Sequence, residues 1–310
     1  MEVTILGLGP IGVEYSQIFS SLGYSINAIG RSADGCRRFE EATGIPAVMG
    51  RDVALSEITD KSLAVVAVGE AQLGIVTKEL INAGFARILV EKPGAAGYTE
   101  LEEVAELAAE HGADVRVGYN RRFYESVKAG RKLIDSDGGA RSIHFDFTEW
   151  SHRIEPLEKE PGVKEHWFFH NSSHVVDMAF FMAGWPTEIN ALATEPIGWH
   201  PYGRFVGAGK TDTGAVFSYN ADWKGPGRWQ IEITTRKNRL IYRPLEELQV
   251  QPLGGVAIHK VELNQTGPEN CKPGFYNQVV AFLEQSDALP TIAEQAQHLK
   301  IYRQICPNNE

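Results

Sequence analysis

Three glycines near the N-terminus have the spacing of a phosphate-binding loop. Gly7, Gly9 and Gly12 form the pattern G-x-G-x-x-G directly after the short apolar run at residues 2–6. In this pattern the first glycine allows a tight turn, the second lets the backbone approach a pyrophosphate, and the third lets a helix pack close to a strand. The helix start adds free N–H groups and a positive dipole end. The sequence therefore predicts a dinucleotide site at Gly7, Gly9, Pro10, Ile11 and Gly12.

The end of the second predicted strand bears on which dinucleotide binds. An acidic residue about 20 residues beyond the loop would hold the ribose 2′-OH of NAD. This chain has Arg31 and Ser32 there, and its first carboxylate is Asp34. Arg31 can pair with a 2′-phosphate and Ser32 can donate a hydrogen bond to it; the alternative is that Arg31 is a solvated loop residue. We predict that NADP is preferred to NAD, with added support from Arg37 and Arg38.

The elements that position these residues alternate between strand and helix. Such alternation predicts a parallel, doubly wound sheet, and so an α/β Rossmann domain over residues 1–120. Its predicted strands lie at residues 2–6, 24–30, 64–68, 87–90 and 114–119, and its helices at 13–22, 36–43, 72–83 and 99–111.

The pattern changes after residue 122, where strands follow one another with few helices between them. This predicts a second, α+β domain over residues 121–310 with a large, mostly antiparallel open sheet, one face of which is solvated or covered in an oligomer. The predicted strands are 142–150, 187–195, 213–223, 228–236, 238–243, 247–252 and 257–263, and the predicted helices are 124–135, 167–183, 274–285 and 291–305.

Composition narrows the classes of protein. Of 310 residues, 43% are apolar and 23% charged, which is typical of a packed globular core. A net charge of −10 disfavours non-specific binding to nucleic acid or anionic membranes. The three cysteines lack the spacing of a zinc site or a disulfide framework. With no long apolar run and no signal peptide, we expect a cytoplasmic protein without nucleic-acid or membrane partners.

Three further features add to the glycine loop. Glu91-Lys92-Pro93 follows the predicted strand at 87–90, Asn120-Arg121-Arg122-Phe123 follows the strand at 114–119, and His174 and Asp177 share a later helix. Together they resemble the glucose-fructose oxidoreductase / inositol dehydrogenase / MocA family over essentially the whole chain. The Glu-Lys-Pro tripeptide is the most specific element. The stretch NSSHVVDMAFFMAG is most similar to members associated with bacterial surface-polysaccharide and nucleotide-sugar metabolism.

This resemblance implies hydride transfer at a carbon that bears a hydroxyl or keto group, usually on a sugar or cyclitol. It makes Lys92 the active-site lysine, whose ammonium can stabilise a developing alkoxide. His174 is the catalytic histidine that takes or returns a proton. Four residues earlier many relatives carry an aspartate, whereas this chain has His170. Since His170 and His174 are expected on one helical face, both are candidates to touch substrate.

The remaining candidates follow from the same resemblance and position. Asp177 could orient His174 or belong to a structural network, and Arg122 could contact a ligand or form an interdomain salt bridge. His170 and His174 have zinc-ligand spacing, but Asn171 stands where a metalloprotease has glutamate, so we expect no metal. The predicted cofactor contacts beyond the loop are Val68, Gly69, Glu91, Lys92 and Asn120. The predicted substrate contacts are Lys92, Arg121, Arg122, His170, Asn171 and His174.

The sequence thus favours an NADP- or NAD-dependent oxidoreductase that acts on a sugar, nucleotide sugar or related polyol in a cleft between two domains, as a homodimer or homotetramer. Two alternatives stay open, since fold alone cannot separate them. One is a non-catalytic, cofactor-binding regulator. The other is a glycosidase that uses transient NAD oxidation.

Overall fold

The computed structural model describes residues 1–269 and 271–307, except for the side chains of residues 52–54. The chain forms two compact domains. The first contains Met1–Asn120 with Thr266–Gln297, and the second contains Arg121–Gln265 with residues 298–307. The sequence analysis placed everything after residue 120 in the second domain. The difference arises because helix α9 (Phe275–Leu283) packs on α1 (Pro10–Ser21) in the first domain.

The first domain is built on six parallel strands in the order β3-β2-β1-β4-β5-β6, the order of a doubly wound dinucleotide-binding sheet. This confirms the predicted Rossmann domain. The strands are β1 (Glu2–Leu6), β2 (Ser25–Gly30), β3 (Ala47–Met49), β4 (Leu63–Val66), β5 (Arg87–Glu91) and β6 (Asp114–Gly118). Besides α1, the helices are α2 (Ala33–Thr43), α3 (Arg51–Glu57), α4 (Leu73–Asn82) and α5 (Tyr98–His111).

The apolar runs of the central strands account for their place in this sheet. All four residues of β4 are buried, as are Val3 to Leu6 of β1 and Ile88 to Val90 of β5. A parallel strand covered by helices on both faces needs such continuous runs. The edge strand β3 was not predicted, because it has only three residues and two of them, Val48 and Met49, are exposed.

The second domain contains an eight-stranded sheet in the order β14-β13-β12-β11-β7-β10-β9-β8. All neighbours are antiparallel except β7 and β10, which confirms the predicted mostly antiparallel sheet. Its strands are β7 (Ser142–Asp146), β8 (Pro186–Thr194), β9 (Arg204–Thr211), β10 (Val216–Asp222), β11 (Gln230–Thr234), β12 (Asn238–Tyr242), β13 (Gln249–Pro252) and β14 (His259–Lys260). The helices are α6 (Glu125–Ser136), α7 (Ser151–Ile154) and α8 (Ser173–Ala183), and α10 (Ile292–Ile305) closes the described chain.

Two differences from the predicted strands have local causes. Strand β9 was not predicted, because Gly207 and Gly209 weaken its strand pattern. Both glycines are needed, since a Cβ atom at Gly207 would collide with Tyr219 and one at Gly209 with the backbone of Glu188. The strand predicted at 142–150 ends at Asp146, where three consecutive buried residues, 147–149, replace the alternation and lead into α7.

Helix α8 covers one face of this sheet through its aromatic residues. Phe180 lies 5.4 Å from Phe145 and 5.2 Å from Phe217, ring centre to ring centre. The opposite face is open and carries a groove of about 430 Å³, lined among others by Ser142, His144 and Arg239. None of the helices within the described residues is long and apolar enough to cross a lipid bilayer.

Candidate cofactor and active site

The three glycines of the loop have different surroundings. Gly7 has a φ of +97°, and a Cβ atom there would collide with the carbonyl group of Ala67; a Cβ atom at Gly12 would collide with the oxygen of Gly7. Both glycines are therefore required by the fold. Gly9 precedes the first residue of α1, and nothing lies within 4 Å of where its Cβ atom would be. That open space at a helix N-terminus fits a pyrophosphate.

The other predicted cofactor residues of the first domain lie at the same edge of the sheet. Leu6 pairs with Val66, Val66 with Val90, and Glu91 with Gly118, so the carboxyl ends of β1, β4, β5 and β6 are aligned. Ligands bind at this edge in doubly wound sheets, beside the point where the strand order reverses. The segments that leave it contain the glycine loop, Val68 and Gly69, Lys92, and Asn120.

Glu91 is tied to the helix that follows the glycine loop. The Tyr15 hydroxyl of α1 donates to Glu91 Oε1 at 2.5 Å and accepts from Gln278 Nε2 at 2.6 Å. Burial raises the pKa of Tyr15, and the Glu91 carboxylate raises it further, so the hydroxyl keeps its proton. The half-buried Lys92 thus leaves a strand end that is bonded to α1, and its peptide bond to Pro93 is cis.

Asn120 is buried, and its side-chain nitrogen donates to the backbone oxygen of Pro273 at 3.1 Å. The C-terminal segment that belongs to the first domain therefore holds Asn120 in place. The sequence could not predict that Pro273, Tyr15 and Gln278 support the site. Their hydrogen-bond partners lie far away in the sequence.

The cationic residues after β2 differ in their partners. Ser32 Oγ accepts from Gly35 N and caps α2. Asp34 pairs with Arg37 at 2.5 Å and with Arg38 at 3.1 Å. Arg31 is exposed and forms no ion pair within the part of the chain that the structure describes. Arg31 is therefore the better placed of these arginines to receive a further anion.

In the second domain, His170 and His174 lie on either side of a change in helix type. Residues Phe168–Ser172 form a π-helical turn, and α8 begins at Ser173. The π turn was not predicted, and the shared face of His170 and His174 stays a prediction. The buried ring of His170 lies 6.4 Å from His166, whereas the buried ring of His174 lies 6.2 Å from Trp229.

Arg122 and Asp177 form a buried ion pair inside the second domain. Arg122 Nε donates to Asp177 Oδ2 at 2.8 Å and Nη2 donates to Oδ1 at 2.6 Å. The guanidinium also lies 4.7 Å over the ring of Phe181. Burial raises the pKa of Asp177 and Arg122 opposes that rise. Both residues lie in the second domain, so this ion pair is not the interdomain salt bridge that was considered for Arg122, and a ligand contact of Arg122 stays a prediction.

Glu149 is a buried carboxylate that the sequence analysis missed. Its Oε1 accepts from Asn171 Nδ2 at 2.8 Å and from Ser172 Oγ at 2.9 Å, and its Oε2 accepts from Arg228 Nη1 at 3.0 Å. Burial raises its pKa, and the Arg228 charge is the largest of the opposing effects. Glu149 thereby fixes the orientation of Asn171 on the π turn.

Trp229 brings several of these residues together. Its ring lies 4.8 Å from the guanidinium carbon of Arg121, 4.3 Å from that of Arg228 and 6.2 Å from the imidazole of His174, measured to the ring centre. The sequence analysis named Arg121 and His174 but not Trp229 or Arg228. In the sequence, Trp229 and Arg228 stand out only as an aromatic residue next to a cationic one.

The fold and the glycine loop define a dinucleotide-binding Rossmann protein with an additional α+β domain. Residues 1–119 match the model of the oxidoreductase family with an NAD-binding Rossmann fold. This match over the first domain agrees with the predicted resemblance to the glucose-fructose oxidoreductase / inositol dehydrogenase / MocA family.

Two relatives match over about a third of this chain. The protein YceM of Salmonella typhimurium, named as an oxidoreductase, is 33% identical over 109 residues, which are 35% of this chain and 32% of YceM. The oxidoreductase C115.03 of Schizosaccharomyces pombe is 26% identical over 120 residues, 37% of this chain and 32% of that protein. The matched region thus spans about a third of each relative.

Solved structures share the fold of the whole chain. UDP-N-acetylglucosamine 3-dehydrogenase GnnA from Acidithiobacillus ferrooxidans has a TM-score of 0.75 at 14% identity, with 99% of this chain and 96% of that chain covered. Levoglucosan dehydrogenase in complex with NADH and levoglucosan has a TM-score of 0.76 at 17% identity, with 98% and 96% covered. At these identities the likeness establishes the fold.

Proposed function

We propose that the protein is a nicotinamide-dependent oxidoreductase that acts on a CH–OH group of a sugar, nucleotide sugar or related polyol. The observation that carries this proposal is the position of Lys92. It follows β5, two strands from the glycine loop at the ligand-binding edge of the sheet, in a domain of an NAD-binding oxidoreductase family. The sugar class is supported by the two fold neighbours, which are dehydrogenases of UDP-N-acetylglucosamine and levoglucosan.

Lys92 and His174 have different tasks in the proposed reaction. When bound, the nicotinamide ring supplies the hydride acceptor for oxidation or the donor for reduction. During oxidation His174 takes the proton of the substrate hydroxyl, and Lys92 places a positive charge beside the developing alkoxide. His170 stands where many relatives have aspartate and tunes the site. Asn171, which Glu149 orients, is proposed to hold a sugar hydroxyl.

The proposed cofactor is NADP in preference to NAD. Arg31 supports this preference, because it is exposed after β2 and has no ion-pair partner among the described residues. The nearest carboxylate in sequence, Asp34, pairs with Arg37 and Arg38 and is thereby less available to a ribose hydroxyl.

We also propose that the protein assembles as a homodimer or homotetramer through the open face of its eight-stranded sheet. Leu192, Val206 and Val216 are each more than half exposed on that face. Leu192 and Val206 are direct cross-strand partners, so these two residues form an apolar patch, whereas Val216 lies further along the sheet, opposite Lys210. Arg239 and Glu232 form an ion pair at the same face. Such a mixed face can meet its own copy without opposing like charges.

A substrate screen tests the activity. The purified protein is mixed with NADP or NAD and with sugars, nucleotide sugars and polyols, and the absorbance of the reduced cofactor is followed. We expect turnover with at least one of them. Lys92→Ala and His174→Ala should each lower that turnover about a hundredfold or more, with cofactor affinity nearly unchanged. His170→Ala should cost less.

Matched controls are Lys132→Ala and His111→Ala, which change exposed residues of the same types on α6 and α5. These variants should keep the activity of the parent. Near-normal turnover in both Lys92→Ala and His174→Ala would remove the catalytic assignment and favour a regulator. Cleavage of glycosides by a protein that retains its cofactor, without release of reduced cofactor, would indicate a glycosidase.

A further inference from the structure

Three arginines of the second domain, Arg121, Arg122 and Arg228, differ in their partners, because only two of them pair with a carboxylate. Arg122 is paired with Asp177, and Arg228 is paired with Glu149. Arg121 forms no ion pair within residues 1–269 and 271–307, and its Nε is buried without a hydrogen-bond acceptor there. Arg121 therefore keeps a positive charge that no carboxylate of the described residues compensates by an ion pair.

The surroundings of Arg121 do not neutralise this charge. Its guanidinium lies over the ring of Trp229, and the guanidinium of Arg228 lies over the same ring. Glu149 already accepts hydrogen bonds from three donors, and Glu246 lies beyond ion-pair distance. Burying a guanidinium is costly unless an anion or hydrogen-bond acceptors compensate it. The face of an indole ring supplies only part of that compensation.

The uncompensated charge also lies near the proposed acid/base residue of the second domain. Trp229 contacts both Arg121 and the ring of His174, the proposed acid/base. Arg121 as a whole residue is partly buried, and its Nε atom is buried. A guanidinium is a planar fork of donors that matches two oxygens of a carboxylate or a phosphate.

We infer that Arg121, with Arg228 beside it, binds a negatively charged group of the substrate, so that the substrate is an acidic sugar. The group is a carboxylate of a sugar acid or a phosphate of a sugar phosphate or nucleotide sugar. This inference deepens the proposed function and rests on it. In this inference, the anionic group of the substrate takes the place of the carboxylate partner that Arg121 lacks among the described residues.

Calorimetric titration of matched sugars tests this inference. The protein, saturated with NADP, is titrated with glucose, glucuronate, glucose 6-phosphate and UDP-glucose. We expect at least one acidic compound to bind about tenfold or more tightly than glucose. Arg121→Gln should abolish that preference, and Arg121→Lys, which keeps the charge but not the fork, should retain part of it. The matched control is Arg131→Gln, whose exposed guanidinium lies 4.3 Å over Phe181; it should keep the full preference.

The arms of the experiment distinguish the sources of the anion. Tighter binding of glucuronate alone identifies a carboxylate, and tighter binding of the phosphorylated compounds identifies a phosphate; both support the inference. Equal binding of all four compounds, no binding of any acid, or a preference that survives in Arg121→Gln would overturn it. So would a loss of NADP affinity in Arg121→Gln in place of the loss of preference. Melting temperatures show whether Arg121→Gln is folded, and Arg121→Lys carries the test if it is not.

Failure of the inference is separable from failure of the proposed function. Turnover of neutral sugars without any preference for acids would overturn the inference and leave the oxidoreductase proposal intact. Arg121-dependent binding of an acid without any turnover would support the anion site and count against the oxidoreductase.

Discussion

Arg31 is the side chain on which the proposed choice of cofactor depends. It follows β2, whose carboxyl end lies beside that of β1 and hence beside the glycine loop. Replacing Arg31 with aspartate would put a negative charge where a 2′-phosphate is proposed to bind, and offer an acceptor to the ribose hydroxyl of NAD. We therefore expect Arg31→Asp to reverse or flatten a preference for NADP, as measured by calorimetric titration of the two cofactors.

The control for this change is Arg37→Gln, because Arg37 is also exposed, on the first turns of α2, but is bonded to Asp34 and Glu41. This variant should keep the preference of the parent. A parent protein that binds NAD tenfold more tightly than NADP, a difference of about 1.4 kcal/mol, would show that Arg31 is a solvated loop residue.

Single residues were predicted best where their type alone limits what they can do. Gly7 and Gly12 are of this kind, since the fold requires glycine at both positions; the catalytic roles of Lys92 and His174 stay predictions. The ion-pair partner of Arg122 was left open by the sequence and is Asp177, 55 residues away. Glu149 could not be identified at all, because its importance lies in Asn171 and Arg228, whose positions relative to it are set by folding.

At the scale of elements, the turn from β1 into α1 contains one glycine that is proposed to serve cofactor binding and another that the fold requires for stability. Gly9 has open space at its Cβ position, whereas Gly12 has the oxygen of Gly7 there. We expect Gly9→Val to fold with nearly the melting temperature of the parent but to lose most of its NADP affinity, because the side chain fills the proposed pyrophosphate space. Thermal melting and calorimetry on the same samples measure both effects.

The matched variant Gly12→Val should behave in the opposite way and lose stability even without cofactor, since its Cβ atom requires the turn to move. A Gly9→Val protein that binds NADP as well as the parent would show that the pyrophosphate does not lie over this loop.

Elements with strong periodicity were predicted from the sequence, and those that depend on neighbours were not. The continuous apolar runs of β4 and β5 were enough to predict these strands. Strand β9 did not, because its two glycines are explained only by Tyr219 and Glu188 on the adjacent strands. The π turn before α8 likewise gave no signal in the spacing of His170 and His174.

At the scale of the whole molecule, the open face of the eight-stranded sheet governs the proposed assembly. Leu192→Lys would place a charge in the apolar patch, opposite Val206. If two copies meet there, each copy must bury that charge. We therefore expect the association constant of the assembly to fall about tenfold or more. Analytical ultracentrifugation over a range of concentrations measures the change.

Val48→Lys is the control, because Val48 is 51% exposed, much like Leu192 at 57%, but lies on the edge strand β3 of the other sheet. It should leave the assembly unchanged. A parent protein that is monomeric at all concentrations, or a Leu192→Lys variant that assembles like the parent, would contradict an interface at this face.

The sequence by itself determined the Rossmann domain, its glycine loop, the family that this domain resembles and the kind of second sheet, because these depend on local spacing, on buried apolar runs and on a short motif. The tertiary structure decided which polar groups compensate one another. Tyr15 with Glu91, Arg228 with Glu149 and Arg122 with Asp177 are separated by 76, 79 and 55 residues. A charge does not specify a distant partner in the sequence, so folding alone left Arg121 without a carboxylate.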